Sequence, residues 1–264
     1  KTSIDANPYE MGRIDSDLMY NIVKEWSWGN SNSNKIYHDP ETRKNSISFR
    51  SNLSRLSEVL IDEDKYEQAE EIIDLAFSKM PIDYYGYYSL WTPFVKGYYE
   101  INRDDKAQEI VKKLSFKYSD RLNYYSSLEI FNQYNVGEEI ISDIERFRNL
   151  IETIKASGEK DILSEQIKSF ISGSEKFNYI YGEYDFYISL SDFIISLVEL
   201  NQLEYSRSIL DKIEEQLIRR VSVFSNIDQD EQVYYIEGIT SDINQYSRLI
   251  SQIEIYDVEL HNDY

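Results

Sequence analysis

Two adjacent stretches decide the fold: Arg50–Pro81, RSNLSRLSEVLIDEDKYEQAEEIIDLAFSKMP, and Tyr88–Tyr118, YSLWTPFVKGYYEINRDDKAQEIVKKLSFKY. In the second, Trp91, Phe94, Val95 and Tyr98 take the spacing W-x2-L-G-x2-Y, and Ala107-x3-Val111 follows. In the first, Leu53, Leu56, Ser57 and Leu60 fill the same slots, ahead of Ala69-x3-Ile73 and Pro81. Large, large, small and aromatic, then a small residue on the partner helix and a terminating proline, is the tetratricopeptide order. The interval from first slot to small residue is the same in both, 53 to 69 and 91 to 107. A small side chain at Ala69 or Ala107 lets the second helix lie close against the first. Each stretch is therefore expected to be a helical hairpin, Ser46 to Ile61 with Tyr66 to Met80, then Tyr88 to Ile101 with Asp104 to Tyr118.

The period from Ala69 to Ala107 is 38 residues, about four longer than the standard repeat, and the extra residues fall in the Ile82 to Tyr88 connection. Further out, Leu190, Phe193, Ile194 and Leu197 precede Ser206-x3-Leu210 at the same interval, a third and more diverged match. Ile14 to Trp28 reads as a helix started by Asp15 or Ser16. Gly29 to Asn45, rich in Asn, Ser, Asp and Pro, reads as a long loop. Asp120 to Gln133 and Gly137 to Ala156 read as a further pair, Ile162 to Ile171 as a short helix, and Ser172 to Gly182 as a loop. Val233, Ile236, Ile239, Ile243, Tyr246, Ile250 and Ile253 recur every three or four residues, which predicts a long closing helix of the kind that caps a solenoid. Strand patterns are missing. The expectation is an all-α, tetratricopeptide-like solenoid in three parts: 1–45 an arm, helix and loop, 46–118 the two hairpins, and 119–264 diverged repeats with the capping helix, the whole forming one continuous solenoid.

Composition narrows the function. Of 264 residues, 48 are acidic and 28 basic, for a formal charge of −20. That balance speaks against nucleic acid and against docking on an anionic membrane, since both need a basic face. The acidity serves solubility or a basic partner. There are no cysteines, so disulfides and thiolate metal sites are excluded. The two histidines, His38 and His261, are far apart in sequence. No run reaches the roughly 20 apolar residues that span a bilayer. The chain opens at Lys1 with no signal-peptide pattern, which raises the expectation of a mature form or a piece of a longer protein.

No catalytic motif is present: no G-x-S-x-G, no H-E-x-x-H and no Gly-rich phosphate loop. Asp15-Ser16-Asp17 has a D-x-D form found in metal-dependent sugar transferases, but it sits at a helix start, where capping explains it. Asp228 to Glu231 lacks the glycine and final glutamate of a calcium loop. No catalytic residue, metal site or cofactor is expected. The 24 tyrosines stand out. Tyr84, Tyr85, Tyr87 and Tyr88 sit beside Trp91 in the inserted connection, and Tyr179, Tyr181, Tyr184 and Tyr187 form a second group. They serve either as recognition surface for peptides, sugars or a partner, or as filler between imperfect repeats. Tyr84, Tyr85, Tyr87, Tyr88 and Trp91 are the candidate binding residues.

Gly12-Arg13-Ile14-Asp15-Ser16-Asp17-Leu18-Met19-Tyr20, Trp26-Ser27-Trp28-Gly29-Asn30, Ile36-Tyr37-His38-Asp39 and Arg50-Ser51-Asn52-Leu53-Ser54-Arg55-Leu56 together resemble one bacterial family. The resemblance is to the soluble C-terminal region of large multi-spanning membrane proteins related to protein O-mannosyltransferases. It is good from about Gly12 to Tyr125 and fades beyond. It implies a parent that moves a sugar from a lipid-phosphate donor to protein, with its catalytic acids in the membrane portion and none in this chain. It also implies a domain on the outer, periplasmic face, attached through a membrane region upstream. Arg13, Asp17, Tyr20, Trp28 and Gly29 are the family-like positions, expected to dock the domain or to fix the loop to the first hairpin. The function expected is non-catalytic: a scaffold that binds a substrate protein or partner, or the membrane portion of its own parent. A free-standing secreted adaptor is the alternative, and an independent hydrolase a third.

Overall fold

A computed structural model describes residues 14–262, and these are α-helical with short 3-10 turns and no strand. The chain divides into two compact units, residues 1–117 with 148–158 and residues 118–147 with 159–264.

The first unit opens with α1 (Ser16–Lys24), whose start is capped by Asp15 accepting from the Leu18 amide. A loop leads to α2 (Pro40–Asp62), and α3 (Tyr66–Lys79) returns against it. α2 begins six residues earlier than its apolar pattern predicts, so the expected long loop is shorter. Asp39 Oδ1 accepts from the Glu41 and Thr42 amides at 2.9 and 3.0 Å, and Pro40 stands at the first helical position, where its missing N–H costs nothing. After α3 come α4 (Ile82–Tyr85), a 3-10 turn (Tyr88–Trp91) and α5 (Thr92–Glu100). α6 (Asp104–Ser127) gives its first half to this unit, and so does the end of α8 (Gly137–Ser157).

In the second unit, α6 runs on unbroken past the predicted stop near Tyr118. Leu114, Tyr118, Leu122 and Tyr125 continue one buried stripe, and nothing between them breaks a helix. α7 (Ile130–Asn135), α9 (Lys160–Ser174), α10 (Asn178–Tyr181), α11 (Glu183–Ile188), α12 (Ser191–Glu199), α13 (Leu203–Phe224) and α14 (Gln229–Asn262) follow. The loop expected over 172–182 is helical as far as Tyr181. Gly173 lies inside α9, and a Cβ there would stand 3.1 Å from Leu122 Cδ1. That glycine permits close packing and does not mark a loop. Tyr118, Phe147, Phe170 and Phe193 form a file of rings with centroids 5.3 to 5.6 Å apart.

The three template matches share one turn. Lys65 N donates to Leu60 O, Arg103 N to Tyr98 O and Gln202 N to Leu197 O, each at 2.8 Å. One residue earlier, Asp64, Asn102 and Asn201 adopt φ of 59°, 57° and 56°, and their amides close the inner bonds to Ile61, Tyr99 and Val198. This paired bonding terminates a helix in the left-handed conformation that Asn and Asp tolerate. Four residues on, Ala69, Ala107 and Ser206 open the partner helix, all fully buried. Every template slot, from Leu53 to Ile73, Trp91 to Val111 and Leu190 to Leu210, is buried. Gly97 is also tightly packed, since a Cβ there would lie 3.0 Å from Ile73 Cδ1 and 3.4 Å from Ile61 Cδ1.

The last helix departs from its predicted face. Ile239 and Ile253 are buried as expected, with Tyr246 and Ile250 half-buried, but Val233, Ile236 and Ile243 are exposed. The packed seam is 239, 242, 246, 249 and 253, alternating steps of three and four. It includes Asp242, tied to Arg220 at 2.8 Å, and Tyr246, whose phenol is raised to about 12 by burial and by Glu214. An acidic residue in the seam hides it from a purely apolar reading.

Candidate binding site

An open cleft of about 450 Å³ lies in the first unit, lined by Trp26, Ser27, Trp28, Ser31, Thr42, Asn45, Ser46, Phe49, Met80 and Tyr85. Two elements build its walls. The stretch after α1 supplies the indoles, turned by Gly29 at φ +55° and by the Ser31 amide bonding to Trp28 O at 3.2 Å. From α2 come Thr42, Asn45, Ser46 and Phe49, whose spacing of three, four and seven puts them on one helix face. The rings of Trp26, Trp28 and Phe49 meet in a triangle with centroids 5.5 to 5.8 Å apart. Both indoles are half-buried and Phe49 is 44% exposed, so the triangle is open to solvent.

Behind the cleft stands a rigid frame. Tyr85 OH donates to Ser31 O at 2.9 Å, and His38 Nε2 bonds to Ser33 O at 3.1 Å. The carbonyl can only accept, so Nε2 carries the hydrogen. The imidazole stacks on Tyr84 at 5.6 Å and packs against Tyr85 at 4.9 Å. Arg50 is fully buried and donates to Gly86 O at 2.8 Å and to Ser46 Oγ at 2.7 Å. Its guanidinium lies over the Trp91 ring at 5.2 Å. Burial lowers its pKa to about 10, against the opposing pull of Tyr87 and Tyr85.

The predicted site residues divide. Trp91 is core, with no exposed surface and its ring stacked on Phe77 at 4.4 Å, so it offers no recognition surface, whereas Tyr85 is largely buried but contributes to the cleft lining. They sit where the chain doubles back through Gly86 and Tyr87, at φ of 62° and 47°, and the turn folds them inward. Tyr84 and Tyr88 are half-buried and Tyr87 is exposed. In the second group Tyr187 is buried, and Tyr179 bonds to Gln133 and packs edge-on to Tyr134. The side chains of Tyr184 and His261 lie outside the described residues. So do Arg13 and the arm before it.

Asp17 pairs with Lys65 at 2.7 Å, and Tyr20 bonds to Glu71, which Lys24 also reaches at 3.0 Å. Those contacts hold α1 against the start of α3. Trp28 and Gly29 instead build the cleft. Reading by motif missed Trp26, Phe49, Ser31 and Asn45. The signal available was W-S-W-G-N beside an α2 face at 42, 45, 46 and 49. Among the described residues no group of three His, Asp or Glu side chains is placed to hold a metal. Compared with models of protein families, with curated proteins and with solved structures, the chain matches none.

Proposed function

We propose that the chain is a non-catalytic recognition domain, a tetratricopeptide-like helical scaffold that offers the Trp26–Trp28–Phe49 cleft to a partner. In this reading it is appended to a membrane-embedded, lipid-phosphate-sugar-dependent protein glycosyltransferase, faces the periplasm, and binds the transferase's protein substrate or the membrane portion of its own parent. The observation that carries the reading is the character of the cleft: aromatic walls and a neutral hydroxyl and amide rim. Such a lining binds and orients. His38 is not among the lining residues; its Nε2 bonds to Ser33 O and its ring packs on Tyr84 and Tyr85. The three like hairpin turns favour the scaffold, and no helix among the described residues is long and apolar enough to cross a membrane.

Fractionating native cells with an antibody to this chain tests the reading. A membrane-bound species far heavier than 31.4 kDa, co-purifying with sugar transfer from a lipid-phosphate donor, is expected. A secreted species of about that mass with no such activity overturns the transferase link and leaves an adaptor. Turnover of glycoside or ester substrates by the isolated chain overturns the non-catalytic part.

A further inference from the structure

We infer that the cleft takes a neutral saccharide, stacking one pyranose ring on Trp26, Trp28 and Phe49. The assignment rests on the cleft being a binding site and names its ligand class.

Charge is the first argument. Charged residues make up 29% of the chain, yet none lines the cleft. A phosphate, carboxylate or ammonium entering it would lose water and meet no counter-charge, a costly exchange. Arg50 offers no remedy, being wholly buried and bonded to Ser46 and Gly86. The occupant is therefore neutral.

Shape and polarity give the second. A pyranose has a face of C–H groups, slightly positive, and hydroxyls around its edge. Aromatic faces are slightly negative, so rings and C–H faces attract. Two half-buried indoles and an exposed Phe49 supply that surface, and about 450 Å³ lies in the range of small-ligand sites.

Hydrogen-bonding capacity is the third. Thr42 Oγ1 gives its hydrogen to Asp39, and Ser46 Oγ gives its own to Arg43 O and accepts from Arg50, so neither has a donor to spare. Ser31 Oγ is buried with no partner. An unmet buried hydroxyl is unfavourable, and a ligand hydroxyl relieves it. Asn45, on the exposed face of α2, and Ser27 complete a rim able to donate and accept. A proline-rich peptide, the other neutral ligand of aromatic grooves, brings few donors to such a rim.

The chain has three tryptophans, so two indole N–H signals, those of Trp26 and Trp28, report on the cleft, and the third, that of Trp91, is an internal control. We would titrate the ¹⁵N-labelled chain with cellobiose, maltotriose, mannobiose and chitotriose, then with inorganic phosphate and decaproline. The expected result is movement of the Trp26 and Trp28 signals by at least one of the oligosaccharides at about 1 mM or below, with Trp91 unmoved. Phosphate moves none. Asn45→Ala and Phe49→Ala then each weaken binding by about tenfold or more, and Asn45 is exposed, so that variant folds. Decaproline moving the same signals while the four saccharides do not overturns the ligand class and leaves the binding site standing. If no ligand moves them, the cleft is not a binding site and both readings fall.

Discussion

Arg50 Nη1 donates to Gly86 O at 2.8 Å, across the base of the turn that separates the first hairpin from the second. No carboxylate accompanies this buried cation. Its partners are the Ser46, Gly86 and Tyr87 carbonyls, the Ser46 hydroxyl and the faces of Trp91 and Tyr87. An arginine fork suits such an arrangement because its donors are fixed in a plane. Arg50→Met keeps the volume but leaves the Gly86 carbonyl unpaired. We expect a loss of about 2–3 kcal/mol, read as a lower urea midpoint. Arg50→Lys recovers little of it, since one ammonium cannot span these acceptors.

Two glycines inside helices have opposite meanings. Gly238 lies exposed in α14, and a Cβ there meets only Arg220 Nη2 at an ordinary 3.5 Å. Gly238→Ala therefore gains about 0.5–1 kcal/mol from backbone entropy alone. A Cβ at Gly97 would stand 3.0 and 3.4 Å from the Ile73 and Ile61 Cδ1 atoms, so Gly97→Val overpacks that contact, costing about 1–3 kcal/mol. Thermal melts of the two variants shift in opposite directions.

Asp143 is almost wholly buried and receives Arg121 at 2.5 Å, Arg146 at 3.2 Å and the Tyr125 hydroxyl at 3.2 Å. Asp143→Asn keeps the shape and removes the charge. The arginines are partly solvated, so the expected loss is moderate, about 2 kcal/mol by denaturant titration.

Glu70 sits between Lys106 and Arg103, each at 2.8 Å, and hydrogen bonds from Lys106 first and Arg103 second hold its carboxyl below the ordinary 4.5. A depressed acid stabilises the fold above its unfolded pKa, and that contribution disappears as pH falls through the folded one. Wild type should exceed Glu70→Gln in stability by about 1 kcal/mol at pH 7. The two chains should converge once pH drops well below 4.5.

The hairpins were legible because their information is local. The slots at 53, 56, 57, 60 and 69 recur at 91, 94, 95, 98 and 107, and each lands in the core. Asp39-Pro40 carried the true start of α2, though the apolar pattern begins only beyond it. The α14 seam was hidden because Asp242 is neutralised by Arg220, a residue 22 positions away. The burial of the aromatic residues is set by context in the same way. Tyr85 and Trp91 look like Trp28 and Phe49 in sequence, and only the turn at Gly86 and Tyr87 decides which pair faces inward.

The most direct test of the cleft as the point of recognition is a photo-crosslink made in the native cell. A benzophenone amino acid replaces Phe49 in one variant and, as a control, the highly exposed Tyr234 of α14 in another. A discrete adduct from position 49, with a saccharide component removed by periodate, is expected, and none from position 234. An adduct from 234 with none from 49 would contradict recognition at the cleft.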